Sequence, residues 1–253
     1  MWKTIRIALL LLVLATVALD AWRAKHAATD WQDTLHVAVY PINADGSAAA
    51  ASRIAALDRE QLLPIERFLA DEARRYGVAT MMPVRLTLQA ALTAGPPAAP
   101  KNAGMLGAII WSLKVRWWVW RLPTATPRPH VRLFVHYWDP SDGRVPSSHG
   151  LERGQIAIAH VFASRAMQRS NDVVIAHEML HALGASDKYD PASLEPIYPQ
   201  GYAEPDAQPR LPQRFCELMA GRLPSESGPP EQAKSLDQCL IGAVTAREIG
   251  FVK

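Results

Sequence analysis

The stretch HEMLHALGASD, at positions 177–187, constrains the fold and chemistry of this chain more than any other part of it. Side chains four positions apart on an α-helix point in directions about 40° apart, so His177 and His181 can reach one metal ion. Glu178 is offset toward the same side, and its carboxylate can reach a water on that metal without being a ligand. Two imidazole ligands beside a glutamate are typical of a catalytic zinc site, which takes its third protein ligand from elsewhere.

The residues before the motif predict the helix that carries it. Ser170, Asn171 and Asp172 offer capping side chains and negative charge for a helix start. An apolar stripe follows beside the histidine face, and its members are Val173, Ala176, Leu180 and Leu183.

The residues after the motif predict a helix stop and the third ligand. Gly184 stands where a left-handed stop is expected. Asp187 follows ten residues after His177. A straight helix could not return Asp187 to the metal, but a glycine turn can. The spacing therefore predicts a metal site made by His177, His181 and Asp187.

The extended motif H-E-x-x-H-x-x-G-x-x-D resembles that of the metzincin clan of zinc endopeptidases. The last position of that motif is usually histidine in the clan, and the aspartate at Asp187 is similar to the snapalysin-like branch. A second clan feature is a methionine turn beneath the metal, and the segment 215–221 (FCELMAG) resembles it, with Met219 as its methionine. The resemblance implies Zn²⁺ as the cofactor and Glu178 as the general base. Met219 is also compatible with ordinary core packing.

One position departs from some members of the clan. They carry a tyrosine two positions after the methionine, where this chain has Gly221. Any tyrosine that assists the reaction would come from elsewhere, for instance Tyr189 or Tyr202.

The first 22 residues differ from the rest. Lys3 and Arg6 precede an apolar run over residues 7–19, which Asp20 ends. This pattern predicts a signal peptide or an N-terminal membrane anchor. A cleavage site after Ala18 would lack the usual A-x-A pattern, which favours an uncleaved anchor. We expect residues 23–253 to form a single metallopeptidase domain. The basic N-terminus predicts that this domain lies on the periplasmic or extracellular side of the inner or plasma membrane. Secretion after cleavage is the alternative.

Composition narrows the class of protein. About 220 residues after the N-terminal segment suit one domain with a substantial core. The net charge of +3 is spread without long runs, so nothing indicates nucleic-acid binding. The two cysteines, Cys216 and Cys239, could pair in an oxidising compartment or remain buried thiols. We expect Cys239 to lie in a C-terminal helix, with Ser235 and Gln238 in a capping box.

The order of predicted elements favours an α+β fold with a mixed twisted sheet, an active-site helix and an irregular C-terminal part with a terminal helix. Predicted strands cover residues 34–42, 84–88, 130–138 and 155–162, and predicted helices lie within 48–76 and 105–121. This order is similar to that of metzincins, in which a strand before the metal helix forms the exposed edge of the cleft. Residues 155–162 are the candidate for that edge, to which an extended peptide could add. The tryptophan-rich residues 105–121 are expected to be core, with an amphipathic membrane-surface helix as the alternative.

These patterns predict a zinc endopeptidase that cleaves a peptide or protein substrate by attack of a zinc-bound water, assisted by Glu178. One alternative is a zinc hydrolase of a non-protein amide, such as a cell-wall crosslink. Another is a non-catalytic binding module stapled by zinc. An unligated glutamate beside the metal favours catalysis, since structural zinc sites usually close with four protein ligands.

Overall fold

The structure, a computed structural model, describes residues 2, 5–7, 26, 28–98, 100, 104–123, 125–146, 148–151, 155–226 and 228–252. The predicted signal peptide or anchor lies almost wholly outside this part of the chain. Among the described residues, no helix is long and apolar enough to cross a bilayer.

A five-stranded sheet in the order β2-β1-β3-β5-β4 is the centre of the fold. Its strands are β1 (Leu35–Asn43), β2 (Val84–Leu88), β3 (Val131–Trp138), β4 (His149–Leu151) and β5 (Ile156–Phe162). The pairs β1–β2, β1–β3 and β3–β5 are parallel, and β4 alone runs antiparallel, beside β5. The fold is therefore mixed α and β around a mainly parallel sheet, as the sequence predicts at this level.

Helices cover both faces of this sheet, and alternating side chains of each strand divide between them. On one face, residues such as Leu133 and Val135 pack with helices α1 (Ala48–Ala55), α2 (Leu63–Arg75) and α4 (Gln168–Leu183). On the other face, Tyr40 and Phe134 pack with helix α3 (Met105–Trp120). The helices α3 and α4 thus lie on opposite sides of one sheet.

Residues 184–252 form an irregular C-terminal part. Its described residues contain two short pairs of strands, with β6 (Cys216–Glu217) parallel to β9 (Cys239–Leu240) and β7 (Arg222–Leu223) antiparallel to β8 (Glu231–Gln232). Helix α5 (Ala243–Glu248) follows, and Gly250 adopts a positive φ of 83° just after it. The expected terminal helix is present, but it is shorter than predicted.

The placement of Cys239 in a helix was wrong. Ser235 precedes a single 3₁₀ turn, Leu236–Gln238, and its side chain makes no capping bond. Gln238 instead accepts a hydrogen bond from the Lys234 backbone at 2.8 Å, and Cys239 then enters β9. The bond between Gln238 and Lys234 closes a single turn, and the pairing of β9 with β6 then ends the helical conformation. Cys239 therefore lies opposite Cys216, with 3.1 Å between the two sulfur atoms.

The prediction that residues 155–162 form the sheet edge was also wrong. Strand β5 has a neighbour on each side, and the edge strand is the three-residue β4. Its residues His149, Gly150 and Leu151 pair with Ile158, Ala157 and Ile156. Three residues that include a glycine carry no alternating pattern, so the strand is visible only through its pairing.

Candidate metal centre

Helix α4 presents its two motif histidines side by side. The Nε2 atoms of His177 and His181 are 3.0 Å apart, and the ring centroids are 4.7 Å apart. The apolar stripe Val173, Ala176, Leu180 and Leu183 is buried against the sheet, which leaves the histidine face directed toward the C-terminal part. The helix begins at Gln168, two residues before the predicted start.

The residues expected to cap this helix have other roles, so that prediction was wrong. Asn171 lies inside α4. Its side-chain amide accepts a hydrogen bond from the Phe162 backbone N–H at 3.3 Å and donates one to the Phe162 carbonyl at 2.8 Å. This pair of bonds ties the first turn of α4 to the end of β5. Asp172 is buried and accepts a hydrogen bond from Gln168 at 2.6 Å. Packing of the first turn against the sheet outweighs their local preference for cap positions.

Backbone carbonyls set which nitrogen of each histidine carries its proton. His177 Nδ1 lies 3.0 Å from the carbonyl oxygen of Leu218, and His181 Nδ1 lies 2.7 Å from that of Ala185. A carbonyl oxygen only accepts, so in both neutral rings Nδ1 is the donor and Nε2 keeps its lone pair. Metal-binding histidines generally donate their second ring N–H in this way.

Asp187 lies against both histidines. Its Oδ1 is 3.1 Å from Nε2 of His177 and 3.1 Å from Nε2 of His181. Gly184 ends α4 with a φ of 107°, which lets the chain turn back after the helix. The Lys188 backbone N–H then donates to the Met219 carbonyl at 3.0 Å and holds this turn against residues 215–221.

The three facing atoms make a donor set that fits one divalent metal ion. Two neutral nitrogens and one carboxylate oxygen, 3.0–3.1 Å apart, all present lone pairs to one another. Such an arrangement is repulsive unless a cation lies among them. Two metal–ligand bonds of about 2.0–2.1 Å can join atoms up to about 4 Å apart, so one ion could reach all three.

The electrostatics of these groups agree with that donor set. Burial by itself would raise the pKa of Asp187, but His177 and His181, when protonated, donate hydrogen bonds to its carboxylate and hold that pKa well below its usual range. Burial by itself would lower the pKa of His177, and the contacts with Asp187 and Glu178 outweigh it and raise the value. The cluster therefore attracts positive charge.

Glu178 lies beside this cluster with one oxygen unused. Its Oε1 is 4.0 Å from His177 Nε2, and its Oε2 is buried and has no hydrogen-bond partner among the described residues. Burial raises the pKa of Glu178, although the two histidines act in the opposite direction. Glu178 could join the histidines as a metal ligand. Asp187 is nearer to both, however, and leaves the Glu178 carboxylate available for a water molecule.

The turn that includes Met219 packs beneath the histidines. Met219 is fully buried, and its neighbour Leu218 supplies the carbonyl that orients His177. Glu217 holds the turn, because its carboxylate accepts from the Ala220 N–H at 3.0 Å and from the Thr245 hydroxyl at 2.7 Å. Sequence reasoning missed the roles of Leu218 and Ala185, since any residue type can supply a carbonyl.

A pocket of about 250 Å³ opens beside His177 and Glu178. Its walls come from the residue before edge strand β4, from α4 and from the C-terminal part, and include Ser148, Val174, Tyr189, Leu194, Arg222 and Gln232. Tyr189 therefore lies at the site. Tyr202 instead bridges to Cys216 and packs edge-on against Tyr198, and it is not among the residues that line this pocket.

Comparisons with known proteins give no family for this chain. No family model matches the sequence, and no curated protein matches it. Among solved structures, the chain is similar to the crystal structure of wild-type OgpA from Akkermansia muciniphila, with 13% sequence identity and a TM-score of 0.42. The match covers 85% of this chain and 59% of that chain, so this protein spans less than two thirds of OgpA's length. A similarity this low assigns neither fold family nor function.

Proposed function

We propose that this protein is a zinc-dependent endopeptidase of metzincin-like fold. The observation that carries the proposal is the set of three lone-pair donors on His177, His181 and Asp187 beside a buried glutamate oxygen without a partner. Two imidazoles and one carboxylate suit zinc, and a set of three protein ligands is typical of catalytic rather than structural zinc sites.

A zinc ion held by these residues would supply the Lewis acid that acidifies a water molecule and polarises the scissile carbonyl. Glu178 would accept the proton of that water at Oε2 and then deliver it to the amine that leaves. The raised pKa of Glu178 suits a group that both takes and returns a proton. The carbonyls of Leu218 and Ala185 would keep the histidines oriented throughout the reaction.

The edge strand and the pocket favour a peptide as the substrate. Among the described strands, β4 pairs on one side alone, with β5, so an extended peptide could add to its other side by main-chain hydrogen bonds. Ser148, next to β4, lines the pocket together with His177 and Glu178, so a peptide on this edge would pass the metal. Tyr189 would be placed to donate a hydrogen bond to the carbonyl oxygen under attack.

Replacement of Glu178 by glutamine tests this function. The near-isosteric Glu178→Gln variant should keep its zinc but lose about 10²–10⁴-fold in the rate of hydrolysis of an unstructured protein, because the general base is gone. Turnover is compared with wild type at equal zinc content. The exposed Glu195, in the neighbouring loop, provides the control, and Glu195→Gln should keep the wild-type rate.

Two results would contradict the proposal. Equal rates for wild type and Glu178→Gln would show that Glu178 is not the base. Stoichiometric zinc with no turnover of any unfolded protein would instead favour the non-catalytic module.

For localisation we propose that residues 7–19 tether the protein to the inner or plasma membrane, with the site on the periplasmic or extracellular side. The basic residues Lys3 and Arg6 before this apolar run support that orientation. A reporter fused after Lys253 tests it. Activity of a reporter that works only in the cytoplasm would overturn the orientation.

A further inference from the structure

The outer face of α3 is apolar, and no segment within the described part of the chain covers it. Six large apolar side chains of this helix are exposed, namely Leu106, Ile109, Ile110, Leu113, Trp117 and Trp120. The opposite side of the helix packs on the sheet, where Val115 and Val119 are buried with Phe134. The expectation of a core helix is thus met on one face only. A contiguous apolar patch of this kind usually marks an interaction surface.

The charged side chains of the chain segment that contains α3 are all of one sign. No aspartate or glutamate occurs from residue 73 to residue 138 of the sequence, whereas lysines and arginines continue through this stretch. Lys114 on α3 and Arg121 directly after it are exposed, and Arg116 on α3 is half-buried. The guanidinium of Arg121 lies over the Trp117 ring, 4.7 Å from its centroid, so a cation is held directly beside the apolar face.

We propose that the outer face of α3 docks on a membrane surface that carries anionic lipids. Its leucines, isoleucines and tryptophans would enter the boundary between headgroups and acyl chains, while Lys114 and Arg121 extend to lipid phosphates. Each cation near such a surface adds to the attraction, and no acidic side chain of residues 73–138 opposes it. Lys114 and Arg116, at the middle of the helix, fit an orientation along the membrane surface and exclude one that spans the bilayer.

Charge disfavours the two other candidates for covering this face. A second copy would bring the same cations against each other, without the acidic partners that usually flank paired helices. The apolar N-terminal run is flanked by Lys3, Arg6, Arg23 and Lys25, with Asp20 as its one acidic neighbour. Like charges would therefore meet in both cases, whereas an anionic bilayer complements them.

Docking through α3 would leave the metal centre accessible. The helix α4 and the C-terminal part lie on the opposite face of the sheet from α3. The candidate site would thus be directed away from the bilayer. This inference does not depend on the proposed peptidase activity, because it rests on α3 alone.

A spin label on α3 of the full-length protein tests the docking. The native Cys216 and Cys239 are buried and should not be labelled in the folded protein. A nitroxide at Leu113→Cys is measured in phosphatidylcholine vesicles and in equal mixtures of phosphatidylcholine and phosphatidylglycerol. In the anionic vesicles we expect several-fold lower access of a water-soluble nickel reagent and higher access of oxygen, which concentrates in lipid. The label in pure phosphatidylcholine should be more accessible to nickel.

Two controls make the result specific to α3. A label at Asp71→Cys, exposed on α2 on the other side of the sheet, should remain accessible to nickel in both vesicles. In the Leu113→Cys background, Lys114→Gln with Arg121→Gln should weaken the protection by anionic lipid, whereas Arg74→Gln on α2 should not.

The pair of reagents also identifies a different occupant. A label shielded from both nickel and oxygen would place protein on this face. Such shielding would point to a second copy if it depended on protein concentration and to the N-terminal segment if it did not. Either result, or free access of nickel in both vesicles, would overturn the proposal.

Discussion

The helices α3 and α4 cover opposite faces of one sheet and differ in what lies on their other side. The polar outer face of α4 is covered by the C-terminal part, and the carbonyls of Leu218 and Ala185 bind His177 and His181 there. The apolar outer face of α3 has no such cover among the residues that the structure describes. The two histidines thus have hydrogen-bond partners on one side of the molecule, while large apolar side chains remain in contact with solvent on the other.

This difference shows that the composition of a helix face does not reveal its surroundings. A polar face of α4 lies inside the protein and an apolar face of α3 is exposed, whereas a surface helix usually shows the reverse. In α4 we infer a metal-binding face held inside the protein. In α3 we infer a surface that meets lipid.

Loss of Asp187 should give the largest effect on the α4 side. Asp187→Ala removes one of the three donor atoms. The affinity for zinc should fall by more than the roughly 10–100-fold that is usual when a residue that only hydrogen-bonds a metal ligand is replaced. Metal analysis after dialysis at neutral pH measures it. Asp190 is the control, because its carboxylate accepts from Ala192 and Ser193 within its own loop. Full zinc occupancy in Asp187→Ala would reject Asp187 as a ligand.

A pair of leucines compares the two helices in stability. Leu180 on α4 is fully buried, and Leu180→Ala should lower the free energy of unfolding by about 2–5 kcal/mol. Leu113 on α3 is 58% exposed, and Leu113→Ala should change it by less than about 0.5 kcal/mol in the absence of membranes. Denaturant titration of both variants provides the measurement. Similar losses for the two would mean that the outer face of α3 is packed.

The cysteines test how firmly the C-terminal part covers α4. Cys216 and Cys239 face each other in the β6–β9 pair with their sulfurs 3.1 Å apart, so we expect a disulfide after oxidative folding. Replacing both by serine should cost about 2–4 kcal/mol relative to the oxidised protein. Mass spectrometry of the unreduced protein should show the loss of two hydrogens. Complete alkylation of both thiols in unreduced, unfolded protein would show that no bridge forms.

Asp172 should make the stability of the α4 start depend on pH. Burial raises its pKa to about 7 from a usual 3.8, against opposing effects of Gln168 and Arg53. The folded state therefore holds this proton more tightly than the unfolded state. The resulting stability is present below about pH 4 and is lost as the pH rises toward 7, with an upper bound of about 4 kcal/mol.

Asp172→Asn should remove much of that loss. Asparagine also loses the attraction to Arg53, so we expect a net gain of about 1 kcal/mol near pH 8 and no gain near pH 4. Unfolding titrations at the two pH values measure this. A destabilised variant near pH 8 would mean that the ionised carboxylate is stabilised by Arg53 in the folded protein.

Sequence alone determined the local features of this protein. The predicted bounds of β2 and α3 agree with the structure to within one residue, because periodicity and flanking glycine or proline act over a few residues. Gly184 ends α4 as expected, since only a residue without a side chain adopts a φ of 107° at little cost. His177 and His181 are neighbours because they are four residues apart on one helix, and the turn at Gly184 brings Asp187 back to them.

Tertiary structure decided what depends on contacts between distant segments. The edge strand β4 exists only through its pairing with β5, and Asn171 joins α4 to β5 instead of capping the helix. The Leu218 carbonyl orients His177 across 41 residues of sequence, and no side-chain pattern encodes which carbonyl will do so. Exposure of one face of α3 was equally hidden, because a helix that is apolar all round does not show in its sequence which side the sheet will cover.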